Sequence, residues 1–511
     1  MKAKMAIIAA AILIVTCAVH LTGGIGEARD AGSKKETLVV ALNAEPSVLD
    51  PHGSMGIPDR RAMRQIYDTL IVQDESMNIV PALATKWEFK DDSTIVFELR
   101  KNVKWHNGEP FRANDVKYSL QRAIDSNFTA RYVNMIDIEN TKVIDDATIE
   151  VKLKQPFGPI LSHLAYTAIA MVNEKAVSEA GNGYGRNPVG TGPFKFSKWT
   201  AGDRIEFDVN ENYWGEKPAF KHLIMRVVTE DANRAIELET GGVDIAYEIT
   251  ANDIGRLEKN KNTWISRIPN FATTFIGFNC AKEPMSNPKV RQAVAYALNT
   301  SEIIEAVFFG TGELGKGPLP STVWGFYDGI KPYPYDVEKA KSLMAEAGIK
   351  GDIPILLYTN DNQQRITIAE IAQNQLKQIG MNVQTKIVEQ AAYLPALENK
   401  EEDMYILSWT TVTGDADFGL YMQYTTASFG KGGNRSFYSN PKVDALLELG
   451  RNSVDDAERK EAYGEAQVLI TEDAPAVYLW QGESIFGLRK GISGFKNMPS
   501  GIVSLAEVVF E

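Results

Sequence analysis

Residues 82–123 constrain the fold of this chain more than any other segment, because they predict a strand, a turn and a helix in succession. Thr94–Arg100 mixes β-branched, aromatic and charged residues with a rough period of two, which is typical of a half-buried strand. The Asn-Gly pair at 107–108 predicts a turn. A helix is expected next, capped by Asn114 or Asp115, with its apolar positions on one face. The segment therefore predicts a mixed α/β unit without evident chemistry of its own.

The segment contains an ordered set of spaced residues: Ala84, Trp87, Asp91, Thr94, Phe97, Leu99, Arg100, Trp105, His106, Gly108, Pro110, Ala113, Asp115 and Val116. They fit the pattern A-x-x-W, then D-x-x-T-x-x-F-x-L-R, then V-K-[FW]-H-[DN]-G-x-P-[FL]-x-A-x-D-V. This order resembles that of the family 5 extracellular solute-binding proteins, the peptide and nickel receptors of ABC importers. Further matches follow in order, including GTGPF at 190–194 and APAVYLW at 474–480. The resemblance covers essentially the whole chain after its N-terminal segment.

The resemblance implies an α/β fold of two lobes, the type II-like periplasmic-binding-protein fold in its enlarged family 5 form. A hinge and a ligand cleft are expected between the lobes. Lobe I is expected to span 29–276 and to be rejoined by 486–511, and lobe II to span 277–485. The chain would cross between them near Phe278 and Ile485.

Local patterns predict individual elements of such a fold. Short apolar or alternating runs at 37–42 and 148–153 are expected to be strands. Segments 337–347 and 365–379 have the apolar spacing of amphipathic helices, and 381–389 is expected to be a strand that follows the second of them.

The N-terminus predicts export. Lys2 and Lys4 precede an apolar run at 5–19 that is long enough for a signal peptide and short for a membrane span. Small residues before position 29 suit signal-peptidase cleavage after Ala28, which would release the protein outside the cytoplasm. The alternative is a lipid anchor at Cys17, since 14–17 (IVTC) resembles a lipobox.

Composition is that of a globular protein with room for two cores. The chain has 511 residues, 44% hydrophobic, and a net charge of −12. A diffuse acidic balance without a basic patch argues against nucleic acid as a partner. Cys280 is expected to be a small buried residue without a disulfide partner in the mature chain.

Two tempting motifs fail on their context. Segment 310–316 matches most of a phosphate-binding loop, but residue 317 is Gly where Ser or Thr is needed, and prolines follow instead of a helix. The five histidines have no metal-ligand spacing, and none follows His222. We expect no metal, no cofactor and no catalytic residues.

The strongest indication of a ligand lies in the loop after Trp409. Peptide-binding members of the family carry G-W-x-x-D here, and their Asp pairs with the peptide ammonium. This chain has Val412 at that position, followed by Asp415 and Asp417 in T-G-D-A-D, a form that resembles the glutathione-binding-like branch. Asp415 is therefore expected to contact the ligand ammonium from an open cleft, and Asp417 to organise the loop; without the resemblance, both would be assigned to capping or turn formation.

Cationic groups are expected for the carboxylates of such a ligand. Arg365 opens a helix near the place where family members present an arginine, and Arg435 is a second candidate. Asn43 ends the first strand and would face the ligand from the other lobe. Trp409 and Tyr393 would provide apolar walls or belong to the core.

These expectations describe a receptor rather than an enzyme. It would be a monomer that captures glutathione or a di- or oligopeptide and delivers it to the permease and ATPase of an importer. The alternatives are a peptide-handling chaperone or sensor subunit on the same scaffold and, less favoured, nickel-chelate binding.

Overall fold

A computed structural model describes residues 35–511 of the chain. The predicted signal peptide at 1–28 and the alternative lipid site Cys17 lie outside the described residues. Between residues 37 and 247 the strands and α-helices are β1 (Thr37–Leu42), α1 (Ile57–Ile66), β2 (Ile71–Gln73), β3 (Ile79–Pro81), β4 (Ala84–Asp91), β5 (Thr94–Leu99), α2 (Ala113–Asp125), α3 (Ala130–Val133), β6 (Ile136–Asp145), β7 (Thr148–Leu153), α4 (Ile160–Leu164), α5 (Glu174–Ala180), β8 (Phe194–Thr200), β9 (Arg204–Val209), β10 (His222–Val227), α6 (Asp231–Thr240) and β11 (Ile245–Tyr247).

The rest of the chain continues in the same mixed α/β manner. Its elements are α7 (Ala251–Lys259), β12 (Thr263–Phe278), α8 (Pro288–Ala297), α9 (Thr300–Phe308), β13 (Glu313–Leu314), α10 (Val337–Glu346), β14 (Ile353–Asn360), α11 (Gln363–Leu376), β15 (Met381–Val388), α12 (Gln390–Glu398), β16 (Met404–Thr410), α13 (Ala416–Tyr424), α14 (Pro441–Asn452), α15 (Asp456–Asp473), β17 (Ala476–Arg489), β18 (Ile492–Ser493) and β19 (Val509–Phe510). Among residues 35–511, no helix is long and apolar enough to span a bilayer.

The largest sheet has two halves that two long strands join. Its order is β15-β14-β16-β12-β17-β11-β1-β10-β9-β8, with β13 paired to β17. We call β11, β1, β10, β9 and β8 the β1 half, and β15, β14 and β16 the β14 half. Apolar residues from both halves are fully buried in separate clusters, as expected of two cores.

Strands β12 and β17 run through both halves. Residues 263–269 of β12 pair with 483–489 of β17 beside the β1 half, and 273–277 pair with 476–481 beside the β14 half. The register breaks between Pro269 and Thr273, where β12 has no ladder partner on β17. We call residues 269–273 and 481–484 the strand crossing. The predicted lobe bounds at 276–277 and 485–486 remain a prediction.

A separate four-stranded sheet, β4-β5-β7-β6, contains the two strands of the 82–123 segment. Its strand, turn and helix are confirmed as β5, a turn with Gly108 at φ +90°, and α2. The predicted cap is wrong, because the helix begins at Ala113 and Arg112 is the capping position. Asp115 instead accepts the Arg112 backbone N–H at 2.7 Å from the first turn.

The edge of the β14 half presents three strand ends together. Strands β14, β15 and β16 are parallel, so their carboxyl ends at Asn360, Val388 and Thr410 lie along one edge. Helices α11 and α12 begin directly after β14 and β15, with side chains of Asn362 and Glu389 capping them. In open α/β sheets this edge is where ligands bind.

Candidate functional site

A cavity of about 560 Å³ lies against the strand crossing. Residues 270–272 and 483–486 line it. Lining residues near the β1 half include Arg61 and Glu248, whereas Phe309, Gln364 and Thr410 come from near the β14 half. Its volume is in the range of small-molecule sites, and its lining is mixed polar and apolar. We call it the main cavity.

Arg61 and Asn43 form a fixed network beside this cavity. Arg61 is buried, donates from Nη1 to Asn43 Oδ1 at 2.6 Å and from Nη2 to Glu248 Oε1 at 2.5 Å, and lies over the ring of Tyr247. Asn43 Nδ2 donates to the other oxygen of Glu248 at 2.7 Å. Asn43 is thus bonded to two residues that line the main cavity, and both its polar atoms already have protein partners, so its predicted ligand contact remains a prediction.

Arg365 stands at the carboxyl edge of the β14 half with few partners. It is half-buried in the first turn of α11, and its Nη1 donates to Asn360 Oδ1 at 3.2 Å. No carboxylate among residues 35–511 forms an ion pair with it, and burial lowers the pKa of its guanidinium, against a smaller raising effect of Tyr393. The neighbouring Gln364 lines the main cavity.

Arg435 is a second half-buried guanidinium in the same region. Its Nη1 donates only to Gly433 O at 3.4 Å, and its Nε is buried without a hydrogen-bond partner. Burial lowers its pKa, and the smaller effects on that pKa include those of Tyr405, Glu398 and Tyr393. Within the described chain it has no ion pair, so both predicted cations lack a bonded anion.

Tyr393 lies near both cations but belongs to the core. It is 1% exposed, and its hydroxyl lies 2.6 Å from Ile406 O and 3.2 Å from Tyr358 O. Burial raises its pKa, with a smaller lowering effect from Arg365. Of the two roles left open for it, the structure supports packing beneath the site.

Asp415 and Asp417 do not lie in an open cleft, so that part of the expectation is wrong. Both are 1% exposed. Asp415 accepts from Arg459 Nη2 at 2.8 and 2.9 Å, and Asp417 accepts from Arg451 Nε and Nη2 at 2.8 and 2.9 Å. Asp415 also accepts the Asp417 backbone N–H, which makes it the cap of α13. Ligand contacts by these two residues remain a prediction. Each carboxylate would then have to accept from the ligand as well as from its arginine.

Trp409 is half-buried in a row of aromatic rings. Its ring lies 5.7 Å from Phe418, Phe418 stacks on Tyr132 at 5.5 Å, and Tyr132 lies 4.8 Å from Tyr166. The indole Nε1 of Trp409 is buried without a partner. An unsatisfied buried donor costs free energy unless a ligand or water meets it.

Arg60 and Arg61 of helix α1, and Tyr166 at the end of this row, are not among the predicted site residues. Arg60, which is 5% exposed, lies over the Tyr166 ring at 5.1 Å. Arg61 joins the main cavity network described above. The available signal was the pair of adjacent arginines at 60–61, inside a helix that begins at Ile57 and has Pro58 in its first turn.

The structure offers no metal-binding cluster among residues 35–511, where no group of three or more His, Cys, Asp or Glu side chains converges. Burial is the main cause of the lowered pKa values of His52, to about 3, and His106, to about 4, while His163 shifts in the same direction. His222 pairs with Asp208 at the surface.

Comparison with known proteins places this geometry in a family. The profile described as "Bacterial extracellular solute-binding proteins, family 5 Middle" matches residues 78–431. The chain is 30% identical over 479 residues to the glutathione-binding protein GsiB of Pectobacterium atrosepticum, covering 92% of this chain and 93% of that protein.

Two solved structures share the fold over nearly their whole length. HbpA2 from Haemophilus parasuis superposes with a TM-score of 0.86 at 26% identity, covering 93% of this chain and 100% of that one. The periplasmic binding protein DppA from Helicobacter pylori, solved with the peptide STSA, gives 0.79 at 28% identity, covering 94% and 98%. The predicted two-lobe α/β fold is confirmed by these relatives.

Proposed function

This chain belongs to the family 5 bacterial extracellular solute-binding proteins and is a substrate-binding component of an ABC importer, and we propose that it captures a short peptide that carries carboxylates, with glutathione as the first candidate. The names of the relatives support this class, since one binds glutathione and another was solved with a peptide.

The observation that carries the proposal is the pair of guanidiniums without carboxylates, Arg365 and Arg435. Both are half-buried, both have pKa values lowered by burial, and neither forms an ion pair within residues 35–511. A partly buried cation is stabilised by an opposite charge, and a planar guanidinium suits a carboxylate. A peptide carboxylate entering at the edge of the β14 half would supply that charge.

The main cavity and the strand crossing suggest how capture would work. We keep lobe I as 29–276 with 486–511 and lobe II as 277–485, joined by β12 and β17. Bending at the strand crossing would change the separation of Arg61 and Phe309, which line the cavity from opposite sides. A ligand that contacts both sides would favour the closed form.

The same proposal includes the location of the protein outside the cytoplasm and its partners in the importer. The N-terminal segment would be cleaved after Ala28, or Cys17 would anchor the protein, and in either case the mature chain would work as a monomer with a permease and ATPase. Intact mass of the exported protein distinguishes the two forms. Co-expression with the importer genes tests transport against a chaperone or sensor role.

A thermal-shift screen tests the proposed substrate. The panel contains glutathione, di- to pentapeptides with and without acidic side chains, and nickel with and without a chelator. A ligand at a hundredfold excess over its dissociation constant stabilises the protein by about 2.7 kcal/mol. Stabilisation by glutathione or an acidic peptide supports the proposal, and a response to nickel chelates alone overturns it. Peptide hydrolysis assayed in the same samples tests whether the protein is also an enzyme.

A further inference from the structure

A second cavity, of about 240 Å³, adjoins the main cavity. Arg60 and Arg64 of helix α1, Tyr166 and Val412 line it, together with alternate residues of the C-terminal segment. Ser500 lines both cavities, so they are neighbours on either side of one residue. The volume far exceeds the ~30 Å³ share of a single water molecule.

Two buried polar groups line this second cavity without an anionic partner. Arg60 is 5% exposed, its Nε has no hydrogen-bond partner, and no carboxylate among residues 35–511 forms an ion pair with it. Tyr166 is also 5% exposed, and its hydroxyl has no hydrogen bond of good geometry, although Arg60 and Tyr132 lie close enough to lower its pKa against the raising effect of burial. The Arg60 guanidinium lies over the Tyr166 ring at 5.1 Å, so the two groups are adjacent.

The acidic residues lining the cavity do not neutralise Arg60. Glu507 pairs with Lys496 at 2.6 Å. Asp74 accepts from the backbone N–H groups of Ser76 and Asn78 within its own turn. Glu75 is exposed.

Arg64 adds a second cation with only a distant partner, since its nearest carboxylate, Asp68, is 4.0 Å away. Asp68 already accepts from Thr191 and Trp214. The lining of the cavity therefore has positive charge at its buried end, and its carboxylates are paired with Lys496, hydrogen-bonded within their own turn, or exposed.

We propose that the second cavity is a carboxylate subsite, in which the Arg60 guanidinium pairs with a ligand carboxylate and the Tyr166 hydroxyl donates to it. This rests on the proposed function and narrows it to peptides with two carboxylates. One carboxylate reaches Arg365 and Arg435, and the other passes Ser500 to reach Arg60. Val412 contributes an apolar wall and no competing charge.

The test is isothermal titration of the full mature protein with glutathione and with its two mono-amidated forms, each lacking one carboxylate. Arg60→Gln should weaken glutathione by at least about 30-fold, as expected for loss of a buried charge pair. One amidated form lacks the carboxylate that would bind Arg60, and Arg60→Gln should leave the affinity for that form unchanged. The other amidated form lacks the carboxylate that would bind Arg365, and Arg365→Gln should leave the affinity for that form unchanged. Equal losses for glutathione and for both amidated forms in Arg60→Gln would overturn the subsite.

Tyr166→Phe guards against a folding artefact, because it removes one hydroxyl and keeps the ring under Arg60. It should weaken glutathione about 5- to 10-fold, the size of one hydrogen bond, with an unchanged melting temperature. An unchanged glutathione affinity in this variant speaks against the subsite.

Failure of the proposed function is distinguishable from failure of the subsite. If no peptide binds the parent protein, the proposed substrate class fails, and succinate then probes the second cavity alone. A melting-temperature rise with succinate that disappears in Arg60→Gln and Tyr166→Phe supports the subsite. Equal responses in the parent and both variants, or none in the parent, overturn it.

Discussion

Arg459 holds both oxygens of the Asp415 carboxylate with one nitrogen, Nη2, at 2.8 and 2.9 Å, and both residues are at most 3% exposed. The same carboxylate caps α13, while Arg459 Nε donates to Gly450 O at 3.0 Å and its guanidinium lies over Trp324. The pair therefore ties the loop after β16 to helices α14 and α15.

Replacing Asp415 by Asn should destabilise the protein by about 3–5 kcal/mol, because it leaves the buried Arg459 charge without its partner. Denaturant unfolding of parent and variant measures the change in free energy. Glu465→Gln is the matched control, since it removes one charge from the exposed Lys442–Glu465 pair and should cost under about 1 kcal/mol. A loss below about 1 kcal/mol in Asp415→Asn would show that the pair contributes little to stability.

The same variant decides the ligand role predicted for Asp415. If its carboxylate also contacts the ligand ammonium, the affinity of folded Asp415→Asn for the best ligand should fall by much more than about threefold, a change of roughly 0.7 kcal/mol. If the carboxylate serves only Arg459, titration calorimetry should give nearly the parent affinity.

The sequence predicted the secondary-structure elements better than it predicted the surroundings of individual side chains. Strands β1 and β7 have the predicted bounds, and β15 ends one residue before the predicted end, because apolar alternation is a local signal. The environment of Asp415 depends on Arg459, 44 residues later, and on Ser162, 253 residues earlier. No local sequence pattern indicates partners so far away along the chain. Asp415 was therefore predicted to be an exposed loop carboxylate, although it forms a buried ion pair.

The same contrast between position and surroundings holds for the candidate site residues. The apolar spacing of 365–379 predicts the helix that holds Arg365, and the structure places this residue in the first turn of α11. The lack of a carboxylate partner for Arg60 could not be inferred from the sequence. It depends on residues 494–507, from the far end of the chain, which line the same cavity.

Arg365→Gln should weaken binding of the best carboxylate ligand by about 2–5 kcal/mol, because the ligand carboxylate loses its cation. Folding stability should change by less than about 1 kcal/mol, since no protein anion is left unpaired. Calorimetric titration and denaturant unfolding measure the two quantities. Arg186→Gln, at an exposed position over Trp199, removes the same charge as a control and should leave the affinity intact. A ligand that binds Arg365→Gln as tightly as it binds the parent would contradict the role.

Glu402 should make stability depend on pH. It is fully buried, neither carboxyl oxygen has a hydrogen-bond partner on another residue, and burial raises its pKa to about 7, against smaller lowering effects of its own backbone N–H and of Lys282. Because the folded state holds this proton more tightly than the unfolded state, the stabilising effect is full below the ordinary Glu pKa. It is lost as pH rises toward and through about 7.

Glu402→Gln keeps the shape and removes the titration. The free energy of unfolding of the variant, relative to that of the parent, should therefore increase by up to about 3 kcal/mol from acidic to mildly alkaline pH. Unfolding of both proteins by urea at about pH 5 and about pH 8 measures this. A stability difference between the two proteins that is the same at both pH values would contradict the assignment.

Cys280 should be inert to thiol reagents while the protein is folded. The residue is half-buried rather than fully buried as expected, but desolvation raises the pKa of its thiol to about 11, with Arg291 opposing weakly, and its Sγ lies 3.8 Å from Phe278 O beside two apolar clusters. Near pH 8 about one thiol in a thousand would be ionised, against about a quarter of unperturbed thiols, and only the thiolate reacts. In the chain starting at Arg29, Cys280 is the one cysteine, so labelling by an aromatic disulfide reagent should be at least about 100-fold slower in the native protein than in guanidinium chloride. Cys280→Ser should show no labelling in either state, and rapid native labelling of the parent would show that the region around Phe278 opens readily.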